Sequence, residues 1–338
     1  VIHTQSAKVA GTRQDMLEIL LANHPLDCPV CDKGGECELQ DTVFRYGKGD
    51  SRLRDPKRVF RQDDIELNQV IVFNANRCIQ CQRCVRVCEE VVGDVALGTS
   101  ERGLDSEITG VGNSLKDCSH CGNCIEVCPV GALMSIPYRY KARPWDLEKT
   151  ETICGMCGTG CSMSVEFADG RFKRVKSDPD TGLNKELLCA KGRFGFDAID
   201  GGKRIEHPMI RKNGVLKPVG WPEAIQLIAT RACEIKEGHG RIQGQISPRQ
   251  SNETAYKFQQ LMRRVFESQD IHSSTRFSGL QVPGAVAALA RLVTGPMQRK
   301  PLQSLLEADC IFLLGANITD ENPVSGYLLR SAMIGAGK

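Results

Sequence analysis

Cys78-Ile-Gln-Cys81-Gln-Arg-Cys84-Val-Arg-Val-Cys88 decides the class of this chain, because its spacing returns at Cys118-Ser-His-Cys121-Gly-Asn-Cys124-Ile-Glu-Val-Cys128. Two gaps of two residues and one of three are the spacing that wraps a cubane [4Fe–4S] cluster. Fifteen of the 17 cysteines fall into such metal-cluster motifs, all before residue 190. Cysteines this close point into one site and serve metal better than disulfides. A long chain with repeated spacing also differs from a short, disulfide-stapled secreted domain. A reducing, cytoplasm-like compartment follows. Several clusters in one chain imply that electrons move one at a time over a distance.

In two-cluster ferredoxins the fourth Cys of each run ligates the other cluster. The expected sets are therefore Cys78, Cys81, Cys84 and Cys128 for one cubane, and Cys88, Cys118, Cys121 and Cys124 for the other. Only the second run carries the following proline, Pro129; the first has Glu89. Val70–Phe73 reads as a short strand that leads through Asn76 and Arg77 into Cys78.

Two further sets flank this pair. His24-x3-Cys28-x2-Cys31-x5-Cys37 places four soft or borderline ligands close together. Zinc is the alternative for this set taken alone, since mixed Cys/His sites suit it. Beside three iron–sulfur motifs, a [4Fe–4S] cluster on one His and three Cys is the reading adopted. A neutral imidazole in place of a thiolate removes a negative charge and should raise the potential. Before it, Thr12 and Asp15 read as a capping box. Met16, Ile19 and Leu20 give a helical face that should end at His24-Pro25. The last set is Cys154-x2-Cys157-x3-Cys161-x27-Cys189. Within it, Ser164–Phe167 and Phe172–Val175 read as a hairpin turning at Asp169-Gly170. Lys191 follows closely and is a candidate for conducting electrons or holding a phosphate, against a plain surface lysine.

From residue 207 the cysteine motifs stop. Pro222 suits the first turn of a helix over Glu223–Lys236, with Ile225, Ile228, Ala232 and Ile235 inward and Gly238 at its end. A second helix is expected over Asn252–Glu267, with Phe258, Leu261, Met262, Val265 and Phe266 inward. Asp309–Leu314 reads as a buried parallel strand. Gly315-Ala-Asn and a helix near Pro323 follow, making a strand–turn–helix unit whose turn is a plain structural one. Cys233 and Cys310 read as packing residues.

Composition agrees with a globular protein of 338 residues and 41% hydrophobic content. The 33 glycines fit loops folded around clusters. The net charge of +3 is too mild to argue for nucleic acid. No apolar run approaches the roughly 20 residues of a membrane span, so direct membrane insertion is not expected. The start at Val1 and the stop just after a strand and helix suggest truncation at both ends. No triad, carboxylate pair or Walker motif is present, so no catalytic residue is assigned.

In this order the motifs resemble the large iron–sulfur, or G-type, subunit of respiratory complex I, the NADH:quinone oxidoreductase. They also resemble its relative, the molybdopterin-dependent formate dehydrogenase alpha subunit. His24-Pro-Leu-Asp-Cys28, Gly35-Glu-Cys-Glu-Leu-Gln40 and Cys189-Ala-Lys-Gly-Arg-Phe-Gly195 are shared by both. Tyr140-Lys-Ala-Arg143-Pro-Trp145-Asp-Leu, Glu101-Arg-Gly103 and Cys128-Pro-Val-Gly-Ala-Leu133 are similar to the complex I protein. Formate dehydrogenases place a Cys or selenocysteine and a His where this chain has Arg276-Phe277-Ser278-Gly279. Many complex I subunits of this type retain only one ferredoxin-like cubane; here both motifs are complete.

The resemblance implies α+β iron–sulfur modules, with a ferredoxin-like double-cubane unit, followed by an α/β molybdopterin-oxidoreductase-like domain. The expected divisions are 1–65 (His/Cys cluster), 66–148 (double cubane), 149–206 (fourth cluster) and 207–338 (start of the α/β domain). Four [4Fe–4S] clusters are expected here and a [2Fe–2S] cluster in a preceding domain. The implied enzyme is an oxidoreductase whose flavin-bearing, NADH-binding partner feeds these clusters. Other iron–sulfur subunits would carry the electrons on to quinone, in a peripheral arm on the cytoplasmic side of the inner membrane. By this resemblance the set at Cys154, Cys157, Cys161 and Cys189 is expected to be a side branch. The alternative is an NAD-linked Mo/W formate dehydrogenase with bound molybdopterin.

Overall fold

Helix α1 (Ala7–Ala22) begins at Ser6, whose hydroxyl accepts the Val9 amide at 3.3 Å. The expected cap at Thr12 is therefore corrected. Thr12 lies inside the helix, and its Oγ1 donates to the Lys8 carbonyl at 2.9 Å. Asp15 pairs with Arg52 instead of capping. Leu17 is the buried residue of α1, with Leu20 and Leu21 packed beside it, while Met16 and Ile19 are exposed. The computed structural model describes residues 2–60, 64–113, 115–178, 182–196, 199, 205–273 and 302–335. Arg276–Gly279 lies outside the described residues. The chain divides into two units, residues 1–200 with 301–338, and residues 201–300.

In the first unit, α2 (Glu38–Tyr46) starts directly after Cys37. A three-stranded antiparallel sheet follows, ordered β1 (Ile65–Glu66), β2 (Ile71–Phe73) and β5 (Leu133–Ser135). Phe73 pairs with Leu133 and Ile71 with Ser135, so the start of one cysteine run is tied to the end of the other. All three residues of β2 are buried. Between them, α3 (Arg83–Arg86) passes into a π turn over Val87–Val92. The hairpin β3 (Leu97–Ser100) and β4 (Glu107–Gly110) separates the two runs, and α4 (Asn123–Glu126) carries Cys124.

Strands β6 (Glu148–Ile153), β7 (Ser162–Ala168) and β8 (Arg171–Ser177) form a second antiparallel sheet. Ala168 pairs with Arg171 around Asp169 and Gly170, at φ 54° and 69°. Two left-handed residues give the primed turn that matches strand twist, as the Asp-Gly pair predicts. A short α5 (Ala190–Phe194) starts immediately after Cys189.

The second unit opens with the hairpin β9 (Met209–Lys212) and β10 (Val215–Pro218), then α6 (Trp221–Glu237), which Gly238 caps. The expected core face of α6 is only partly covered: Ile225 and Ile228 are exposed, Ala232 and Ile235 half-buried. Strands β11 (Gly244–Ile246) and β12 (Ile271–Ser273) pair in parallel, joined through α7 (Asn252–Gln260) and a π turn over Leu261–Val265. Met262 and Phe258 close over Gly244, where a Cβ would lie 2.7 Å from each; Leu261 and Val265 face out.

The strand expected over Asp309–Leu314 is not formed, and Phe312 and Leu314 are 83% and 82% exposed. A buried strand needs a ladder partner for its amides. Among the described residues no strand pairs with this segment; the parallel pairing lies at β11 and β12. Cys233 and Cys310 are both exposed, so neither packs in a core as expected. The chain continues through α8 (Ile318–Glu321) to α9 (Pro323–Gly335), which packs on the Val87–Val92 turn of the first unit.

Candidate cluster sites

The two central runs build their sites in the same way. In the first, Gln80 and Gln82 both have φ 57°; in the second, His120 has φ 57° and Gly122 φ 72°. This left-handed backbone turns amides inward. The Cys78 sulfur accepts the Gln80 amide and the Cys118 sulfur the His120 amide, each at 3.4 Å. Asn68 Nδ2 also donates to Cys118 at 3.5 Å.

Cys78, Cys81, Cys84 and Cys128 line one small cavity with Phe73, Ile108 and Leu133. Cys88, Cys118, Cys121 and Cys124 line another with Ile71, Val92 and Leu97. The fourth cysteine of each run thus stands among the three of the other. Burial pushes the Cys84 thiol up to about 12, and Cys128, Cys78 and Cys81 push in the same direction. Burial, with Cys121 and Cys84 as neighbours, raises Cys124 well above the usual thiol range. Buried thiols that repel each other's charged form suit a group that replaces their protons with metal.

The last set closes through the backbone. Cys154 follows β6, Cys161 precedes β7, and the Cys154 amide donates to the Cys161 carbonyl at 2.8 Å. Burial raises the Cys161 thiol to about 12, and Cys154, Cys157 and Cys189 act with it. Gly192 lies over this set, where a Cβ would sit 3.5 Å from the Cys154 sulfur. Lys191 is exposed, and its Nζ donates to the Asp320 carbonyl at 2.7 Å.

The first set is more open. Cys31 and Cys37 are buried, Cys28 is exposed, and His24 shares a cavity with Cys28. Burial raises the Cys37 thiol, and Cys31 and Cys28 act in the same direction. Burial, then Lys57 and Arg77, lowers the His24 pKa and keeps the imidazole neutral. Its Nδ1 is buried without a hydrogen-bond partner, as a ligand nitrogen would be before metal arrives. Among the described residues no group of three or more His, Cys, Asp or Glu is drawn tightly enough to hold a single ion.

Contacts that sequence reading missed hold the sets beside one another. Gly131 follows Cys128 so closely to the first set that a Cβ there would overlap the Cys31 sulfur. Arg77, buried between them, pairs with Asp27 at 2.9 Å. The linker folds back over the first set: Arg143 donates to the Cys31 carbonyl at 2.7 Å and to that of Pro29. Trp145 lies on Gly35, where a Cβ would come within 2.7 Å of the ring. Arg174 clasps Glu36 at 2.6 Å and Glu166 at 2.5 Å. Burial alone would raise the Glu36 carboxyl, but Arg174, Lys176 and Lys33 hold it down to about 2.

At the other end, Asn123 exchanges hydrogen bonds with Leu188, donating at 3.0 Å and accepting at 3.1 Å. Arg193 donates to the Cys121 carbonyl at 2.9 Å and pairs with Glu126. The buried basic residue of the Cys189 motif is therefore Arg193, and Lys191 is exposed. Tyr327 of α9 is buried among Cys121, Cys154 and Cys189, and its hydroxyl lies 3.2 Å from Ser119 Oγ. The local signal for some of these contacts was a glycine that admits the partner, as Gly35 admits Trp145 and Gly122 admits Arg193.

Comparison with known families agrees with this arrangement. Residues 13–52 match the NADH-ubiquinone oxidoreductase-G iron–sulfur binding region. Residues 68–134 match the ferredoxin-like domain of NADH-quinone oxidoreductase subunit 3. Residues 147–201 match the molybdopterin oxidoreductase Fe4S4 domain, and residues 204–337 match molybdopterin oxidoreductase. These define the class: an iron–sulfur oxidoreductase chain with ferredoxin-like domains before a molybdopterin oxidoreductase domain.

The chain is 54% identical over 332 residues to the second NADH-quinone oxidoreductase G subunit of Rhizobium meliloti, covering 98% of this chain and 38% of that protein. It is 38% identical to the NADPH-Fe(3+) oxidoreductase alpha subunit of Geobacter sulfurreducens, over 81% of this chain and 32% of that protein. It is 40% identical to the NADH-quinone oxidoreductase G subunit of Rickettsia prowazekii, over 70% of this chain and 34% of that protein. The chain belongs to the family of NADH-quinone oxidoreductase G subunits and carries iron–sulfur clusters. It spans a little over a third of these relatives' length or less. Among the described residues no helix is long and apolar enough to cross a membrane.

Proposed function

We propose that this chain is the electron-carrying part of an NADH:quinone oxidoreductase, with four [4Fe–4S] clusters in the four ligand sets. The observation that carries the reading is their continuity. The first set abuts the Cys128 loop at Gly131, Cys84 and Cys124 share one buried core, and Cys121 shares a buried shell with Cys189. When bound, the clusters supply one-electron steps. The residues around them exclude water, donate amides to the sulfurs and hold neighbouring sets at fixed separation. A flavin-bearing partner takes hydride from NADH and feeds single electrons to this arm. Quinone-proximal iron–sulfur subunits accept them, in a peripheral arm on the cytoplasmic face of the membrane. A [2Fe–2S] domain belongs to the rest of the protein.

Lys191, two residues after Cys189, is kept as the candidate cofactor contact beside the last set; its exposed Nζ donates to the Asp320 carbonyl. A second reading, a formate dehydrogenase with molybdopterin, draws on the match over 204–337 and on the two complete central motifs. Metal analysis of the full-length protein, purified without oxygen, separates the two. The expected result is about four irons per ligand set, no Mo or W, and EPR signals that appear with NADH. Stoichiometric Mo or W with formate-dependent reduction of a dye would overturn the reading.

A further inference from the structure

We propose that the ion pair between Asp94 and Arg330 sets the reduction potential of the cluster held by Cys88, Cys118, Cys121 and Cys124. This rests on the reading that those four cysteines hold a [4Fe–4S] cluster. The pair is built into the site. The Asp94 side chain is only 3% exposed, and its Oδ1 lies 3.0 Å from Arg330 Nη1. Its Oδ2 accepts the Ser119 amide at 2.9 Å, and Ser119 lies between Cys118 and Cys121 in the chain. Arg330 comes from α9, which packs on the turn that carries Cys88.

Gly93 makes the approach possible. It ends the Cys88 turn at φ 75°, and a Cβ there would meet the Arg330 Cβ at 2.8 Å. Arg330 Nε is buried with no hydrogen-bond partner. A guanidinium held in this way, with a donor unsatisfied, is costly unless its charge is used.

Reduction adds one negative charge to a cluster. In a low-dielectric site a fixed cation favours the reduced state and a fixed anion opposes it. The two members of the pair therefore act with opposite sign. Removing Arg330 leaves Asp94 uncompensated and lowers the potential; removing the charge of Asp94 raises it.

The test is a potentiometric EPR titration of the full-length protein in its complex. The relevant signal is assigned by its change in Cys118→Ser. Arg330→Gln is expected to reduce the ratio of reduced to oxidised cluster about tenfold at fixed potential, about 59 mV for one electron. Asp94→Asn, whose Oδ1 still accepts the Ser119 amide, is expected to shift the ratio the other way. Arg330→Lys should restore most of the wild-type value. Unchanged midpoints, shifts of the same sign in Arg330→Gln and Asp94→Asn, or loss of this cluster in both would overturn the proposal. Absence of iron from this site in the wild-type protein would instead sink the cluster reading on which it rests.

Discussion

The two central runs have one spacing and two surroundings. Around Cys78, Cys81 and Cys84 the backbone bends through Gln80 and Gln82, both at φ 57°, and Cys81 is exposed. Around Cys118, Cys121 and Cys124 the second bend is at Gly122, and Cys121 and Cys124 are buried. The difference lies in what each bend must admit. Gly122 lies against Arg193 and Phe194 of the Cys189 motif. The same spacing thus makes one site that faces outward and one that is walled in by the next module. After the fourth cysteine the runs diverge again. Pro129 leads into a strand of the central sheet, while Glu89 continues a π turn that receives α9.

The sharpest way to break this comparison is to exchange the fourth ligands. Cys88→Ser should perturb the cluster of Cys118, Cys121 and Cys124, and Cys128→Ser that of Cys78, Cys81 and Cys84. Low-temperature EPR with iron counting decides it, since an uncrossed arrangement gives the reverse pattern. Gly122→Ala comes next in size. Its Cβ would lie 2.6 Å from Arg193 Cδ on a left-handed backbone. Strain and overpacking together should cost about 3 kcal/mol, measured as a lower urea midpoint.

Glu36 tests the linkage between the first set and the β7–β8 hairpin. Glu36→Gln should cost about 2 kcal/mol by weakening its charged hydrogen bonds to Arg174. The folded carboxyl, held at about 2, is depressed below its ordinary 4.5. Its stabilisation is therefore complete above about pH 4.5 and is lost as pH falls through about 2. Circular dichroism melts should show a flatter acid limb in Glu36→Gln than in the wild type. The smallest effect is expected at Gln82→Gly, which relieves a left-handed strain and should stabilise by up to about 1 kcal/mol. A loss of stability there would show that the Gln82 side chain has a packing role.

The grouping of the central cysteines around shared cavities was legible because it is written in local spacing. Asp169-Gly170 and Pro222 were legible for the same reason: a turn and a helix start are decided within a few residues. Asp309–Leu314 was misread because a run of apolar residues records hydrophobicity but not whether a neighbouring strand exists. At α1 the helical period was right and the phase was wrong, since Ser6 rather than Thr12 carries the cap. Arg143 on Cys31, Arg193 on Cys121 and Arg330 on Asp94 join residues far apart in the chain. Nothing in the local pattern of an arginine says which distant carbonyl or carboxylate it will meet. Arg193 was overlooked beside Lys191 because burial, which separates them, is a tertiary property.

The interleaving of the two runs has a consequence for how the protein is made. The cavity that begins at Cys78 has no fourth wall until Cys128 has been synthesised, about fifty residues later. The cavity that contains Cys88 likewise waits for Cys124. Neither can close while the other half of the module is still on the ribosome. A nascent chain stalled between the runs therefore offers an iron–sulfur donor three ligands of one site, one of the other and no complete set.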